Sequence, residues 1–106
     1  MTTINELSFN SQGLIPAVVQ DADTNEILMV AYMNKQSIEI TLKEGRTCFF
    51  SRSRQKLWRK GETSGHIQKV KELWADCDKD CLVVKVDQTG PACHTNRRSC
   101  FFYRMK

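Results

Sequence analysis

The sequence predicts a β-rich α+β fold with one or two helices, and three observations support this class. Short apolar runs alternate with turn-forming residues, and only one segment has clear helical spacing. The hydrophobic content of 41% and the charged content of 26% are ordinary for a globular chain. Because 106 residues can bury one modest core, we expect a single domain over residues 1–106.

The first part of the chain predicts a hairpin. Residues 14–19 and 27–32 are apolar runs, and the turn formers of residues 21–25 separate them. Two apolar runs joined by such a segment are typical of adjacent antiparallel strands.

A helix is predicted next, over about residues 35–44. Ile38 and Leu42 lie four residues apart, which places both on one helical face. Gly45 follows at the position where a left-handed C-cap residue commonly ends a helix.

The second half of the chain predicts further strands and one polar loop. The strand candidates are residues 47–51, 82–86 and 99–103, the last reached through the turn signal Gly90-Pro91. Residues 52–65 are polar and basic and are interpreted as a loop that carries chemistry. Residues 66–76 fit both a helix and a strand, because Val70, Leu73 and Trp74 satisfy both periods.

Charge and cysteine content narrow the function classes. The formal net charge of +4 favours anionic partners, without distinguishing a phosphorylated metabolite from nucleic acid. The sequence shows neither a signal peptide nor an apolar run long enough to span a membrane, so we expect a cytoplasmic protein without a membrane partner. Five cysteines is an odd number, which favours reduced thiols or metal ligands over a disulfide framework.

Three aspartates at alternate positions form the most informative motif. On an extended backbone Asp76, Asp78 and Asp80 project to one side and converge on a hard cation such as magnesium or calcium. A solvated acidic turn is the alternative, and it stays open. An EF-hand loop fits poorly, since Cys81 stands at the sixth position where that loop has Gly, and Asp87 at the twelfth where it usually has Glu.

The cysteines predict a second metal. If the acidic segment is extended, Cys77 points to the face opposite the aspartates and serves another metal or another chain. Together with Cys77, the residues Cys81, Cys93 and Cys100 place four thiols in one short part of the chain, and this density favours a soft metal such as zinc. Cys48 fits best as a small buried hydrophobic residue.

The basic stretch predicts a nucleotide site. It mixes cations, hydroxyls, glycines and an indole, a set that can hold phosphates and stack a base. The candidate substrate-binding residues are Arg52, Arg54, Trp58, Lys60, Glu62 and Ser64. Single-stranded nucleic acid uses the same combination, and a merely solvated loop is the third alternative.

At these residues the chain resembles the phosphoribosyl-AMP cyclohydrolase family, from about Gly13 to Tyr103. The matching segments are Leu28-Met-Val-Ala-Tyr-Met-Asn34, Ser51-Arg-Ser-Arg54, Leu57-Trp58, Lys60-Gly-Glu-Thr-Ser-Gly-His66, Asp76-Cys-Asp-Lys-Asp80, Ala92-Cys-His-Thr95 and Arg98-Ser-Cys100. Asn96 stands where the family commonly has Gly, and Asn tolerates a left-handed backbone. Some relatives carry the preceding pyrophosphohydrolase step on a fused domain, and we expect only one reaction here.

The resemblance implies an intertwined homodimer built on a mixed-sheet pseudobarrel. It implies that Cys77 of one subunit joins Cys93 and Cys100 of the other around zinc. It also implies that Asp76, Asp78 and Asp80 hold magnesium. Three thiolates leave the fourth tetrahedral position for water, as at a catalytic zinc site. Cys81 lies outside the family pattern, and on an extended strand it would be about 13 Å from Cys77.

The implied activity is hydrolytic opening of the adenine ring of 1-(5-phosphoribosyl)-AMP at the N1–C6 bond, in histidine biosynthesis. Zinc would lower the pKa of bound water towards about 7. His94 is the first candidate for proton transfer and His66 the second. The alternative is a structural-zinc module for single-stranded nucleic acid, which leaves the aspartates unexplained. A nucleobase deaminase needs His-x-Glu and Cys-x-x-Cys motifs, which the sequence lacks.

Overall fold

The computed structural model describes every residue from Met1 to Lys106. A 3-10 helix at Ile4–Glu6 precedes the main elements. In chain order these are β1 (Ile15–Asp21), β2 (Ile27–Met33), α1 (Lys35–Glu44), β3 (Cys48–Ser51), β4 (Lys56–Arg59), β5 (Gln68–Ala75) and β6 (Leu82–Gln88). The molecule is mostly sheet with one α-helix, which confirms the α+β class.

The main sheet is mixed and has the strand order β2-β1-β6-β5. β1 and β2 form the predicted antiparallel hairpin, β6 runs parallel to β1, and β5 pairs antiparallel with β6. β3 and β4 form a separate two-stranded antiparallel sheet. The parallel contact between β1 and β6 brings the last strand of the chain into the middle of the main sheet.

The core follows the two-residue period of the central strands. Ile15, Ala17 and Val19 of β1 are fully buried, and the residues between them are only half-buried. The same alternation buries Leu82, Val84 and Val86 on β6. Successive side chains of a strand point to opposite faces, so these branched residues line one face of the sheet and form the core.

Helix α1 has the predicted bounds and clear signals at both ends. Asn34 Oδ1 accepts the Ser37 N–H at 2.8 Å, a cap that stabilises a helix by about 1 kcal/mol. Gly45 ends the helix in the left-handed region, with φ of 74°. Within α1, Thr41 Oγ1 accepts the Cys48 N–H and so fixes the helix against β3. No helix of the chain has the length and apolar character needed to cross a membrane.

A buried polar contact joins the two sheets. Thr47 Oγ1 donates to Gln68 Oε1 at 2.8 Å, and both residues are fully buried. Gln68 Nε2 donates onward to Gln88 Oε1. Because buried polar groups cost free energy unless they are paired, this network fixes how the small sheet lies on the large one.

Three expectations about elements are revised. Residues 66–76 are resolved in favour of a strand, β5. The stretch 52–65 is not all loop, because β4 lies within it and pairs with β3. The strand predicted at residues 99–103 does not form; this segment bonds to β2 through side chains and single backbone contacts instead of a ladder.

Candidate active site

The acidic segment forms the turn between β5 and β6, so the extended backbone considered for it does not form and the alternative of a turn holds. Asp76 N–H donates to the Cys81 carbonyl, and Asp76 Oδ1 accepts the N–H groups of Asp80 and Cys81. Lys79 adopts a left-handed φ of 61° to complete the turn. An aspartate that accepts neighbouring backbone N–H groups favours a turn over an extended chain.

The turn nevertheless brings the three carboxylates together. One ligand oxygen from each of Asp76, Asp78 and Asp80 lies within 4.8 Å of the others, and all three residues are exposed. A hydrogen bond with Asp78 raises the pKa of Asp80, and the neighbouring negative charges raise it further. Carboxylates this close repel one another, and an oxygen-only donor set of this kind fits a hard cation.

The turn changes the expected positions of Cys77 and Cys81. The argument that put Cys77 on the opposite face of an extended chain fails, and so does the 13 Å separation from Cys81 that rested on it. Cys77 is exposed, and its thiol lies 3.9 Å from Asp78 Oδ1. Cys81 is half-buried, and burial raises the pKa of its thiol.

Residues 92–100, the cysteine loop, carry the other candidate zinc ligands. The loop closes on itself, because Ala92 N–H donates to the Arg98 carbonyl and Cys93 N–H to the Arg97 carbonyl. Asn96 takes a left-handed φ of 68°, as expected for the position where the family commonly has Gly. Cys100 N–H donates to the Leu28 carbonyl at 2.7 Å, which ties the end of the loop to β2.

The two thiols of this loop differ in their protonation chemistry. Thr95 Oγ1 lies 3.0 Å from Cys93 Sγ and donates a hydrogen bond to it, and this bond lowers the pKa of Cys93. Partial burial and the neighbouring Cys93 raise the pKa of Cys100. Each thiol affects the pKa of the other, as expected for thiols that lie near each other. A favoured thiolate beside a second thiol is a donor pair that suits zinc.

The candidate proton-transfer residues lie in different surroundings. His94 follows Cys93 directly and is exposed. His66 is half-buried against the Gly90 turn, since a Cβ atom at Gly90 would lie 2.7 Å from its ring Cδ2. Gly61, with φ of 79°, packs against the backbone of His66. His94 is therefore free to meet solvent or substrate, whereas His66 is confined by two glycine turns.

The candidate substrate residues divide between two clefts and the surface. Lys60 and Glu62 line a cleft of about 660 Å³, and Arg54 and Trp58 line a second of about 380 Å³. Arg52 lies over the Tyr32 ring at 4.0 Å.

Three further observations refine this picture. Ser64 Oγ accepts the His66 N–H. Lys60 Nζ donates to the Ala92 carbonyl at 2.6 Å, so part of its hydrogen-bonding capacity serves the cysteine loop. Trp58 packs on Phe49, with ring centroids 5.0 Å apart, so the indole is partly committed to the core.

Sequence reasoning gave no role to three arginines near these groups. Arg46 and Arg59 line the larger cleft, and Arg59 pairs with Glu44 through two hydrogen bonds. Arg98 pairs with Asp21 and Glu26. The sequence carries no local signal for these contacts, because 72 or more positions separate Arg98 from its partners.

A single chain assembles some of the predicted ligands and leaves others apart. The three aspartates are its one group of three or more potential metal ligands, and Cys77 does not join Cys93 and Cys100. The chain therefore presents an acidic triad and a thiol pair as separate clusters.

Comparison with known proteins identifies the family. The sequence model of the phosphoribosyl-AMP cyclohydrolase family matches residues 29–102. A protein of that name from Alkalilimnicola ehrlichii is 58% identical over 99 residues, which cover 93% of this chain and 70% of that protein. One from Listeria innocua is 55% identical over 103 residues, which cover 97% of both. The "Histidine biosynthesis bifunctional protein HisIE" of Caldanaerobacter subterraneus is 57% identical over 102 residues, 96% of this chain and 50% of that protein. With this agreement over nearly its whole length, the chain belongs to the phosphoribosyl-AMP cyclohydrolase family.

Proposed function

We propose that this enzyme works as a homodimer with zinc held between subunits and magnesium held on the acidic turn. Its activity is that of its family: it hydrolyses the adenine ring of 1-(5-phosphoribosyl)-AMP in histidine biosynthesis. The observation that carries the proposal is the presence of two chemically distinct donor clusters in one chain, three carboxylates and a thiol pair. A cytoplasmic location stays the prediction made from the sequence.

The donor sets support two different metals. Carboxylate oxygens prefer a hard ion and thiolates a softer one, so Asp76, Asp78 and Asp80 suit magnesium, and Cys93 and Cys100 suit zinc. Asp76 uses Oδ1 to close its turn, which leaves Oδ2 available to an ion. A zinc ion bound by three thiolates offers an open position for water and lowers the pKa of that water towards about 7.

Cys77 is proposed as the third thiolate, supplied by the partner subunit. In one chain it stays away from the thiol pair, which a site shared between two subunits would explain. The surface also carries large exposed apolar side chains, among them Val30, Trp74 and Phe101, which are 47%, 59% and 61% exposed, and a subunit interface would cover side chains of this kind.

The chain's own residues would bind the substrate and move its protons. Arg54 and Trp58 in one cleft, and Lys60 and Glu62 in the other, offer charge, an aromatic face and a hydrogen-bond acceptor to a purine that carries two phosphates. Arg52 and Ser64 would assist from the surface. His94 would take a proton from the attacking water and return one to N1 as the N1–C6 bond breaks, with His66 as the second candidate.

Subunit complementation tests the shared site. Cys77→Ser and Cys93→Ser proteins should each be inactive, and mixing them under exchange conditions should restore about a quarter of the wild-type activity, since half of the dimers would be hybrids with one intact site of two. The measurement is the absorbance change on ring opening.

A matched mixture controls this experiment. Cys93→Ser mixed with Cys100→Ser should restore nothing, because both sites of every hybrid would lack a ligand. Hybrid formation is verified with differently tagged subunits. Equal recovery in the two mixtures, or none in either despite verified hybrids, would contradict the shared site.

A further inference from the structure

Arg98 fastens the cysteine loop to the turn between β1 and β2. Its guanidinium Nε donates to Glu26 Oε1 at 2.7 Å, and Nη2 donates to Asp21 Oδ2 at 2.5 Å. The two carboxylates flank the β1–β2 turn, so the planar Arg98 side chain is bonded to both sides of it. Arginine is suited to this role, since its donors lie in a fixed fork and it stays charged at every relevant pH.

The Asp21 carboxylate is the fixed part of this contact. Its side chain is 9% exposed, whereas those of Glu26 and Arg98 are 42% and 45% exposed. Asp21 Oδ1 accepts the N–H groups of Asp23 and Thr24, which sets the orientation of the carboxylate. Arg98 therefore bonds to a preorganised acceptor on the core of the main sheet, and its loss would leave a buried charge without its cation.

Arg98 also stands where the cysteine loop closes and rejoins β2. Its carbonyl accepts the Ala92 N–H at 3.0 Å, just before Cys93. The next residue, Ser99, donates its hydroxyl to the Ile27 carbonyl at 2.7 Å, and Cys100 N–H donates to Leu28. The guanidinium thus anchors a point of the loop that is bonded to the residue before Cys93 and lies two residues before Cys100.

We propose that Arg98 is a positioning residue that fixes the separation of the Cys93 and Cys100 thiols through its grip on Asp21 and Glu26. The hydrogen bonds of Arg98 do not depend on a metal, whereas their effect on zinc affinity rests on the proposed function. Groups outside the ligand set that orient ligands change metal affinity by about 10–100-fold when they are lost. The same preorganisation reduces the conformational cost of closing the loop around an ion.

The first test needs no metal. Amide hydrogen exchange is measured by NMR on the zinc-free protein, for the wild type, Arg98→Lys and Arg59→Lys. Arg59 is the matched control, because it also makes a two-bond pair with one side chain, Glu44, and belongs to another sheet. Exchange at Cys93 and Cys100 should accelerate in Arg98→Lys alone. Unchanged exchange at both amides, or an equal acceleration throughout β1 and β6, would overturn the proposal.

The second test measures zinc affinity by competition with a chromophoric chelator. Arg98→Lys and Asp21→Asn should each weaken binding by about 10–100-fold, and Arg59→Lys should leave it unchanged. Glu26→Gln changes the exposed partner of Arg98 and should reduce zinc affinity less. It replaces the other two variants in this test if they fold poorly. Wild-type affinity in Arg98→Lys, Asp21→Asn and Glu26→Gln alike would overturn the proposal. If the wild type itself binds no zinc while exchange still accelerates locally in Arg98→Lys, positioning stands and the zinc assignment fails.

Discussion

The cysteine loop and the acidic turn are both candidate metal-binding segments, but they are anchored in different ways. The cysteine loop bonds to three separate parts of the chain. Lys60 donates to it, Arg98 reaches Asp21 at the end of β1, and Ser99 and Cys100 bond to the start of β2. The acidic turn bonds mainly to itself through Asp76, with one outside contact from Ser8 N–H to the Lys79 carbonyl.

This difference matches what the two proposed metals require. A tetrahedral thiolate site needs ligands held at defined positions, whereas magnesium keeps several waters and is commonly bound by only one or two carboxylates. A loop braced by the core suits the first requirement, and an exposed hairpin turn suffices for the second. We therefore expect changes in the cysteine loop to have larger effects than matched changes in the acidic turn.

The largest effect is expected from Cys100→Ala, with Cys81→Ala as its control. Loss of Cys100 should remove zinc and nearly all ring-opening activity, because it removes one of three proposed ligands. Cys81→Ala should keep zinc and most of the activity. Zinc is measured by elemental analysis and activity by absorbance. If Cys81→Ala lost zinc as Cys100→Ala does, four thiolates would close the site and the open position for water would be wrong.

A smaller and more selective effect is expected from Asp78→Asn. The substitution removes one carboxylate charge from the acidic turn, so a higher magnesium concentration should be needed for half-maximal turnover, with zinc content near normal. Asp87→Asn removes a carboxylate elsewhere in the chain and is the control. Equal loss of both metals in the Asp78 variant would show that the two regions are not separable.

The sequence predicted the regular elements well where local signals decide them. Helix α1 has the predicted bounds because Asn34 caps its start and Gly45 its end, and both signals act within a few residues. Residues 99–103 were predicted as a strand from composition, and they form none because they meet β2 through side chains and isolated bonds. Strand propensity shows that a segment can pair, and only the tertiary structure supplies a partner.

The site was predictable in chemistry and less so in geometry. Asp76, Asp78 and Asp80 do converge, although through a turn and not through the expected extended backbone. The prediction survived a wrong premise because a tight turn also gathers alternate residues. The role of Arg98 had no local signal, since its partner Asp21 lies 77 positions away.

A third prediction compares the two histidines. His94→Gln should lower the maximal rate by about 100-fold or more, the usual contribution of a group that transfers protons. His66→Gln should have the smaller effect, because that ring is packed against Gly90. Zinc content should stay normal in both variants. A larger loss in His66→Gln would exchange the two assignments and move proton transfer to the loop before β5.

The smallest effect, and the one that isolates the anchor of the cysteine loop, is on acid stability. Hydrogen bonds from Thr24 N–H, Asp23 N–H and Arg98 hold the pKa of Asp21 below its usual value of about 3.9. A depressed pKa in the folded state means that the stabilisation is fully present above the unfolded pKa and is lost as the pH falls through the folded value.

Asp21→Asn keeps an oxygen for the two backbone donors but loses the charge. The metal-free variant should therefore be less stable than wild type at pH 7 by about 1–2 kcal/mol, and this deficit should shrink below about pH 4. Asp23→Asn, at an exposed neighbour on the same turn that is not bonded to Arg98, is the control and should not reproduce the deficit of Asp21→Asn at pH 7. Thermal unfolding followed by circular dichroism makes the comparison, and each kcal/mol corresponds to a shift of about 4–8 °C in a domain of this size. A deficit in Asp21→Asn that is the same at both ends of the pH range would mean that the carboxylate charge does not anchor the loop.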